Sequence, residues 1–200
     1  FKGDHTKGIA AVTEWLASEE NKKHSLVPRA QFELGRLNSN AGQFSNTFGI
    51  YTNFVAAHKT NALSAFAYQW LADYYFNKID KDVNHAPTAE KYYLTIFQTT
   101  NWPPSELTHR ARFMAGQCAV KRSGWNEARD RFSKLAGDKE ASDEWRARAY
   151  FAIGDVTILE PRGDKVERWS KAINVFNQSA TDFAKTTLHP LALGRLGHCN

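Results

Sequence analysis

Long apolar runs, cysteines and catalytic motifs are scarce in this sequence. No run approaches the roughly 20 apolar residues of a membrane-spanning helix. There are two cysteines in 200 residues, and the sequence has no Gly-rich phosphate loop, no His-Glu-x-x-His and no Cys-x-x-Cys. These absences argue against a membrane-spanning helix and against the enzyme classes that carry those motifs. We therefore predict a protein that is not an enzyme and that needs no cofactor.

Ligand sets for a metal ion are also missing from the sequence. Asp80, Asp82 and Asn84 match the start of a calcium loop, but His85 and Lys91 stand where that loop needs a Gly and an acid. The seven histidines are scattered, and we predict that each is solvated or caps a helix. No metal site is predicted.

Charge of one sign is not concentrated in any segment. The formal net charge is +5, but Lys and Arg are spread among Asp and Glu without a basic block. Solvated helix faces explain this pattern better than a stripe that binds nucleic acid, so no nucleic-acid partner is predicted.

The two ends of the sequence favour a fragment of a longer protein. The chain begins at Phe1 without a Met and stops at Asn200, inside a predicted helix. No signal peptide is visible, but in a fragment this says nothing about the compartment.

What the sequence does contain is a helical pattern, clearest from Leu107 to Ala136. Its first half has apolar residues at spacings of three and four: Ala111, Met114, Ala115 and Cys118. After a predicted turn, Ser123 to Trp125, the second half repeats the spacing: Ala128, Phe132 and Leu135. The pair Ala115-Gly116 lies in mid-helix, where Gly costs about 1 kcal/mol relative to Ala. A packing role is therefore expected for Gly116.

The same pattern recurs along the chain. Small-residue pairs occur on five predicted helices: Leu34-Gly35, Leu71-Ala72, Ala115-Gly116, Ile153-Gly154 and Leu196-Gly197. Their second members are 37, 44, 38 and 43 residues apart. A small residue followed four positions later by an aromatic residue marks the other helices: Ala11/Trp15, Thr47/Tyr51, Ala89/Tyr93, Ala128/Phe132 and Ala172/Phe176. Self-similarity at this period predicts stacked helical units with one continuous core.

The two cysteines share one position in this pattern, two residues after the small pair. Cys118 and Cys199 therefore lie two repeats apart, far beyond the roughly 7 Å between Cα atoms that a disulfide allows. We predict that both are small, packed core residues, and they leave the redox compartment open.

A small-Gly pair, an Ala twelve residues later and an aromatic residue four further on resemble the tetratricopeptide repeat (TPR) family. The resemblance implies an all-α fold, a right-handed α-solenoid of antiparallel helix pairs in a single domain. The expected units are a partial unit 1–26, repeats 27–63, 64–106, 107–144 and 145–190, and a partial unit 191–200. Helices are expected at 29–38, 44–57, 64–77, 88–99, 145–159 and 166–181, among others.

The connector Asn101–Ser105 suggests a branch of that family. Pro103 and Pro104 cannot continue a helix, so a stiff connector is predicted. It resembles the aromatic-Pro-x-Ser connector of cell-envelope TPR relatives, the outer-membrane assembly lipoproteins and the Tol-Pal coordinating proteins, although the double Pro departs from their pattern. The resemblance favours a periplasmic or cell-envelope location over a cytoplasmic one.

Two turns are longer than the others, at 78–87 and 161–164. Loops on one face of a repeat array often meet partners. Neutral drift in the length of an exposed turn is the alternative interpretation.

The TPR resemblance also implies a binding groove. In that family the first helix of each pair lines a concave side, and three positions around the small residue point toward a ligand. The position six before it holds Arg29, Phe66, Arg110, Arg148 and Leu191. The position three before it holds Phe32, Gln69, Phe113, Phe151 and Gly194. The position one after it holds Arg36, Asp73, Gln117, Asp155 and His198. The members from the four complete repeats form the candidate groove.

Arg recurs beside Phe in this groove, which suits an extended or helical peptide with apolar side chains and some acidic character. The alternative is that the Phe residues are inter-repeat core, with the Arg side chains covering their rings or pairing with Asp73 and Asp155.

We predict a non-catalytic scaffold that binds a peptide or a partner subunit in its concave groove, in a bacterial cell-envelope assembly. The alternative is a helical accessory region of a larger enzyme or transport system. A sensor for nucleic acid or another acidic polymer is a third possibility, and it requires binding that weakens steeply with salt. Partner identity and oligomeric state stay open.

Overall fold

The protein is all-α in the computed structural model, which describes residues 5–99 and 101–199. No β-strand occurs among those residues. The α-helices, named α1 to α10 in chain order, are His5–Ala17, Val27–Asn40, Phe44–Ala57, Ala62–Phe76, Ala86–Gln98, Glu106–Lys121, Trp125–Ala136, Asp143–Leu159, Lys165–Asp182 and His189–Cys199. Two 3₁₀ helices lie at Glu19–Asn21 and Val83–His85. The predicted all-α class is confirmed.

Helix boundaries follow the predicted ones closely. The helix expected at 44–57 is α3. Helix α5 begins at Ala86 instead of 88, since Pro87 fits the first turn, where no backbone N–H is needed. Trp125, predicted in a turn, is the first residue of α7, and the turn before it places Ser123 at a φ of 62°.

The chain divides within α4 into two compact units, the first ending at Leu71 and the second starting at Ala72. In the first unit, α1 packs on α2 and α2 packs on α3. In the second unit, each helix from α5 to α10 packs on the next, and α6 also contacts α8. Short turns between packed neighbours make successive helices antiparallel.

Small residues receive aromatic rings where paired helices meet. A Cβ on Gly35 would lie 2.4 Å from Cε1 of Tyr51, and one on Gly116 would lie 2.4 Å from Cε1 of Phe132. The small residues that precede the rings on α3, α5, α7 and α9 are fully buried: Thr47, Ala89, Ala128 and Ala172. The packing role expected of Gly116 is confirmed, because any side chain there would collide with a core ring.

The core of the second unit is built around the stretch in which the pattern is clearest. Phe132 and Leu135 of α7 are fully buried and join a cluster with Ala149 and Val156 of α8. Phe113 and Trp145 are partly buried against this cluster. The apolar stripe of one helix pair is thus covered by the first helix of the next pair, as the repeat pattern predicts.

The connector before α6 ends in a helix cap. Ser105 and Thr108 form a capping box in which the Ser105 N–H donates to Oγ1 of Thr108 at 2.8 Å. Trp102 is only 9% exposed. The connector predicted from the two prolines therefore lies between α5 and α6, and the buried ring of Trp102 anchors it.

A buried ion cluster connects α5 to α7. Glu90 is 5% exposed and accepts from Nε of Arg122 at 2.7 Å and from Nη2 of Arg122 at 3.0 Å. Nη1 of Arg131 lies 2.5 Å from Oε1 of the same carboxylate. Burial alone would raise the pKa of Glu90, but the hydrogen bonds from the two guanidinium groups lower that pKa below its ordinary value.

Two predictions about single side chains have definite outcomes. His109 is 4% exposed, so the prediction that every histidine is solvated or caps a helix is wrong at this position. Its Nε2 lies 3.8 Å from Oδ2 of Asp138, a carboxylate that α6 also contacts through Arg112. Cys118 is fully buried, as predicted, and burial raises the pKa of its thiol to about 12. The side chain of Cys199 lies outside the described residues.

Within the described part of the chain, no helix is both long and apolar enough to cross a bilayer.

Candidate functional site

Arg110, the predicted groove arginine of α6, is part of an internal network in the second unit. Its Nη2 donates to both carboxylate oxygens of Asp73, at 3.1 Å each. The hydroxyl of Tyr93 donates to Oδ1 of Asp73. Burial and the neighbouring carboxylate raise the pKa of Tyr93 above its ordinary value. Arg110 of α6 therefore contacts Asp73 of α4, which also accepts from Tyr93 of α5, as the core interpretation of these residues expects.

In the first unit, the predicted residues form an aromatic group with a polar edge. The ring of half-buried Phe32 lies 5.4 Å from that of Tyr51 and 6.5 Å from that of Phe66, which is 51% exposed. Arg36 donates from Nε to Glu33 at 2.6 Å. The other two predicted residues of this unit are Arg29, which is exposed, and Gln69, which is half-buried.

Five predicted groove residues come together in a cleft between α6 and α8 of the second unit. The cleft has a volume of ≈ 280 Å³. The predicted residues that line it are Phe113, Gln117, Arg148, Phe151 and Asp155. We call this the α6–α8 cleft. Its walls are the half-buried rings of Phe113 and Phe151, so these rings border both the core and an open surface.

Other lining residues of the α6–α8 cleft were not predicted. They are Val120, Phe132, Ala152, Val156, Leu159 and Leu188. Val120 and Leu159 lie one helical turn beyond Gln117 and Asp155, so extending the predicted columns by one turn would have found them. Phe132 was predicted as a core residue, and it also lines the α6–α8 cleft. Leu188 comes from the turn before α10, for which helical spacing carries no signal.

The polar rim of the α6–α8 cleft consists of compensated charges. Arg148 donates from Nη2 to Glu144 at 3.2 Å, and its guanidinium lies 5.3 Å from the ring centre of Trp145. Burial alone would raise the pKa of Glu144, but hydrogen bonds from Thr187 and Arg148 lower it. Exposed ion pairs contribute little to stability, so the guanidinium of Arg148, which is 44% exposed, is available to a ligand at small cost.

Asp155 is the least solvated charge of this rim. Its Oδ1 lies 3.1 Å from Nε of Arg195 on α10. Burial raises the pKa of Asp155, and the Arg195 charge opposes that rise only in part. A hydrogen-bond donor on a ligand would find in Asp155 a carboxylate that is poorly hydrated.

A second cleft lies one repeat further along, between α8 and α10. It has a volume of ≈ 370 Å³ and is lined by Phe151, Pro190, Leu191, Gly194, Arg195 and His198. We call this the α8–α10 cleft. It contains all three residues that the predicted columns place on α10, and it shares Phe151 with the α6–α8 cleft.

Ligand sets for a metal ion are not found in the residues that the structure describes, where no three His, Cys, Asp or Glu side chains lie close enough to hold one. The chemistry available in the two clefts is therefore apolar contact, stacking on rings and hydrogen bonding to a charged rim.

Comparison with solved structures identifies this architecture. One structure that the chain resembles is a protein from Podosopora anserina described as a kinesin light chain with nearly identical TPR-like repeats. The TM-score is 0.60 at 14% sequence identity, and the match covers 86% of this chain and 84% of that chain. The fold is a TPR-like helical repeat. The resemblance inferred from the small-residue and aromatic spacings is confirmed at the level of the fold. No protein-family model matches the chain, and no curated protein matches it.

Proposed function

We propose that this protein is a non-catalytic interaction scaffold that binds a peptide segment of a partner protein along the first helices of its second unit. The observation that carries the proposal is the α6–α8 cleft, where five residues predicted from repeat positions line one cavity of ≈ 280 Å³. A cavity of this kind, with apolar walls and a few polar groups at the rim, is typical of a ligand site.

The rim defines what the peptide must offer. Walls that accept an apolar side chain are formed by Phe113, Phe151 and Leu159. The guanidinium of Arg148 favours an acidic group or a backbone carbonyl. Gln117 can pair with a backbone amide, because its side chain has both a donor and an acceptor. An extended or helical segment with an apolar anchor and an acidic neighbour meets these requirements.

The proposed setting of the scaffold is a bacterial cell-envelope assembly. This part of the proposal rests on the connector Asn101–Ser105 and its resemblance to envelope relatives of the TPR fold. The alternative, a helical accessory region of a larger enzyme or transport system, is distinguished by the sequence of the whole protein, which would contain a catalytic or transport domain.

A peptide library displayed on phage tests the binding proposal. Peptides selected on the wild-type protein are measured against Arg148→Glu and against the control Lys171→Glu. The two residues are matched, since each is an exposed cation paired with a Glu four residues earlier in its helix. Lys171 lies on α9 and lines neither cleft.

We expect the selected peptides to bind Lys171→Glu as they bind the wild type, and to bind Arg148→Glu about tenfold more weakly, which corresponds to the loss of one charged contact. Failure to select any peptide, or equal binding to both variants, would overturn the proposal.

A further inference from the structure

Two opposite charges line the α6–α8 cleft from one face of the same helix. Arg148, Phe151 and Asp155 all belong to α8 and all line the cleft. Steps of three and four residues keep their side chains on one face. At a rise of about 1.5 Å per residue, the seven steps from Arg148 to Asp155 cover about 10.5 Å, close to two turns. The cleft therefore presents a cation, a ring and a carboxylate in that order.

The opposite wall of the α6–α8 cleft adds no charge. Phe113 and Gln117 of α6 occupy the same two repeat positions as Phe151 and Asp155, and both are neutral. Among the described residues that line this cleft, Arg148 and Asp155 alone carry a charge. The charge that a ligand meets on entering the cleft is thus set by α8, with the rings between its two poles.

Asp155 has capacity for a further cation. Its side chain is 30% exposed, and its Oδ1 lies 3.1 Å from Nε of Arg195. The second contact, from Nη2 of Arg195 to Oδ2, is 3.5 Å long and therefore weak. A carboxylate has about four lone-pair sites, so these two contacts do not saturate it. Burial raises the pKa of Asp155 and the charge of Arg195 opposes that rise only in part, so a second cation would stabilise the carboxylate.

We propose that Asp155 is a specificity-determining residue of the α6–α8 cleft and selects a basic side chain on the partner peptide, across the apolar anchor from the acidic group that Arg148 favours. This inference rests on the proposed function and narrows its ligand to a segment with acidic, apolar and basic side chains in line. In an extended segment, residues i, i+2 and i+4 share one face and span about 13 Å. Flexible Glu and Lys side chains can adjust that span to the roughly 10.5 Å along α8.

Arg195 competes with the basic side chain of the ligand. It approaches Asp155 from α10, is 47% exposed and does not line the α6–α8 cleft. Its charge repels a second cation and occupies part of the carboxylate. Removing that charge should therefore strengthen the binding of a basic ligand. If Arg195 served only to hold α10 in place, its removal would weaken binding or leave it unchanged.

Three capped pentapeptides test this inference. The probe is N-acetyl-Glu-Ala-Leu-Ala-Lys amide, whose blocked ends remove the terminal charges. In one analogue Gln replaces the Lys, and in the other Gln replaces the Glu. Each peptide is titrated into the ¹⁵N-labelled protein, and the amide shifts of Gln117 and Ala152 give its dissociation constant. We expect millimolar binding of the probe and about fivefold weaker binding of each analogue.

Protein variants assign each preference to one residue. Asp155→Asn should abolish the preference for Lys and retain that for Glu, and Arg148→Gln should do the reverse. Asp143→Asn is the matched control, because Asp143 also lies on α8 and pairs with an arginine but does not line the cleft. Arg195→Ala should bind the probe about threefold more tightly and the analogue without Lys as the wild type does. This last variant tests the inference even if Asp155→Asn fails to fold.

The outcomes separate this inference from the proposed function. A preference for Lys that persists in Asp155→Asn, or weaker binding of the probe by Arg195→Ala, would overturn the role of Asp155 and leave peptide binding at Arg148 intact. Peptide shifts that avoid both Gln117 and Ala152 would overturn the proposed function as well, because the ligand would then lie outside the α6–α8 cleft.

Discussion

Gly154 and Phe176 are packed so tightly that a Cβ on the glycine would lie 2.5 Å from Cε1 of the ring. The two residues belong to α8 and α9, and the ring is fully buried. The contact lets the backbones of α8 and α9 approach each other. The ring of Phe176 can keep its position only if residue 154 has no side chain.

Gly154→Ala should therefore destabilise the protein, although Ala is the better helix former by about 1 kcal/mol. We expect a net loss of roughly 1–3 kcal/mol in the free energy of unfolding, because Phe176 must leave its position in a well-packed core. Urea denaturation followed by circular dichroism measures the loss. Gly194→Ala is the control, and its open surroundings predict a gain of up to about 1 kcal/mol. A gain for both variants would contradict the packing argument.

Charge reversal should distinguish the two arginines of the predicted groove. Arg110→Glu places a carboxylate against Asp73 in a half-buried network and should cost about 2 kcal/mol of stability. Arg148→Glu exchanges an exposed pair with Glu144 for a like-charge pair and should cost only about 0.5 kcal/mol. Thermal unfolding of the two variants provides the comparison, and equal losses would contradict a structural role for the contact between Arg110 and Asp73.

Glu90 should contribute to acid unfolding. The pKa of its carboxyl is lowered in the folded protein, so between that value and the ordinary value of 4.5 the unfolded chain holds a proton that the folded protein does not. Stability from this group is present above pH 4.5 and is lost as the pH falls through the folded pKa.

Glu90→Gln should remove this part of the acid dependence. At neutral pH the variant should be less stable by about 3 kcal/mol, because Arg122 and Arg131 lose a buried counter-ion. Denaturant unfolding at a series of pH values between 3 and 7 tests both effects. An unchanged slope below pH 5 would mean that Glu90 carries no part of it.

The thiol of Cys118 should be unreactive in the native protein. It is fully buried and burial raises its pKa to about 12, so almost no thiolate is present at neutral pH. We expect maleimide to modify Cys118 only as fast as the core opens, with rapid labelling in urea. Mass spectrometry of the digested protein scores Cys118 separately from Cys199, and rapid native labelling at Cys118 would contradict its placement in the core.

The sequence predicts most of the fold because the packing contacts are local in the repeat. Gly116 and Phe132 lie 16 residues apart, and their types alone indicate that one helix receives a ring from the next. The burial of His109 is not predicted in this way, and the carboxylate 3.8 Å from its Nε2, that of Asp138, lies in the turn between α7 and α8, outside the helical period. The pairing of Arg110 with Asp73 is one of the two alternatives that the sequence leaves open, and the structure shows that pairing.

The candidate site follows only in part from the sequence. Phe113, Gln117 and Arg148, which were chosen by their repeat positions, line one cavity in the structure. The same positions give no information on whether a ring faces a ligand or the core, since Phe113 borders the cleft and packs 5.8 Å from Trp145. The single-domain assignment and the use of the groove remain predictions.

Phe151 of α8 lines both the α6–α8 cleft and the α8–α10 cleft. Because this one side chain lines both clefts, a substitution of Phe151 changes the lining of both at once. A variant at this residue therefore reports on the two clefts together and does not separate them.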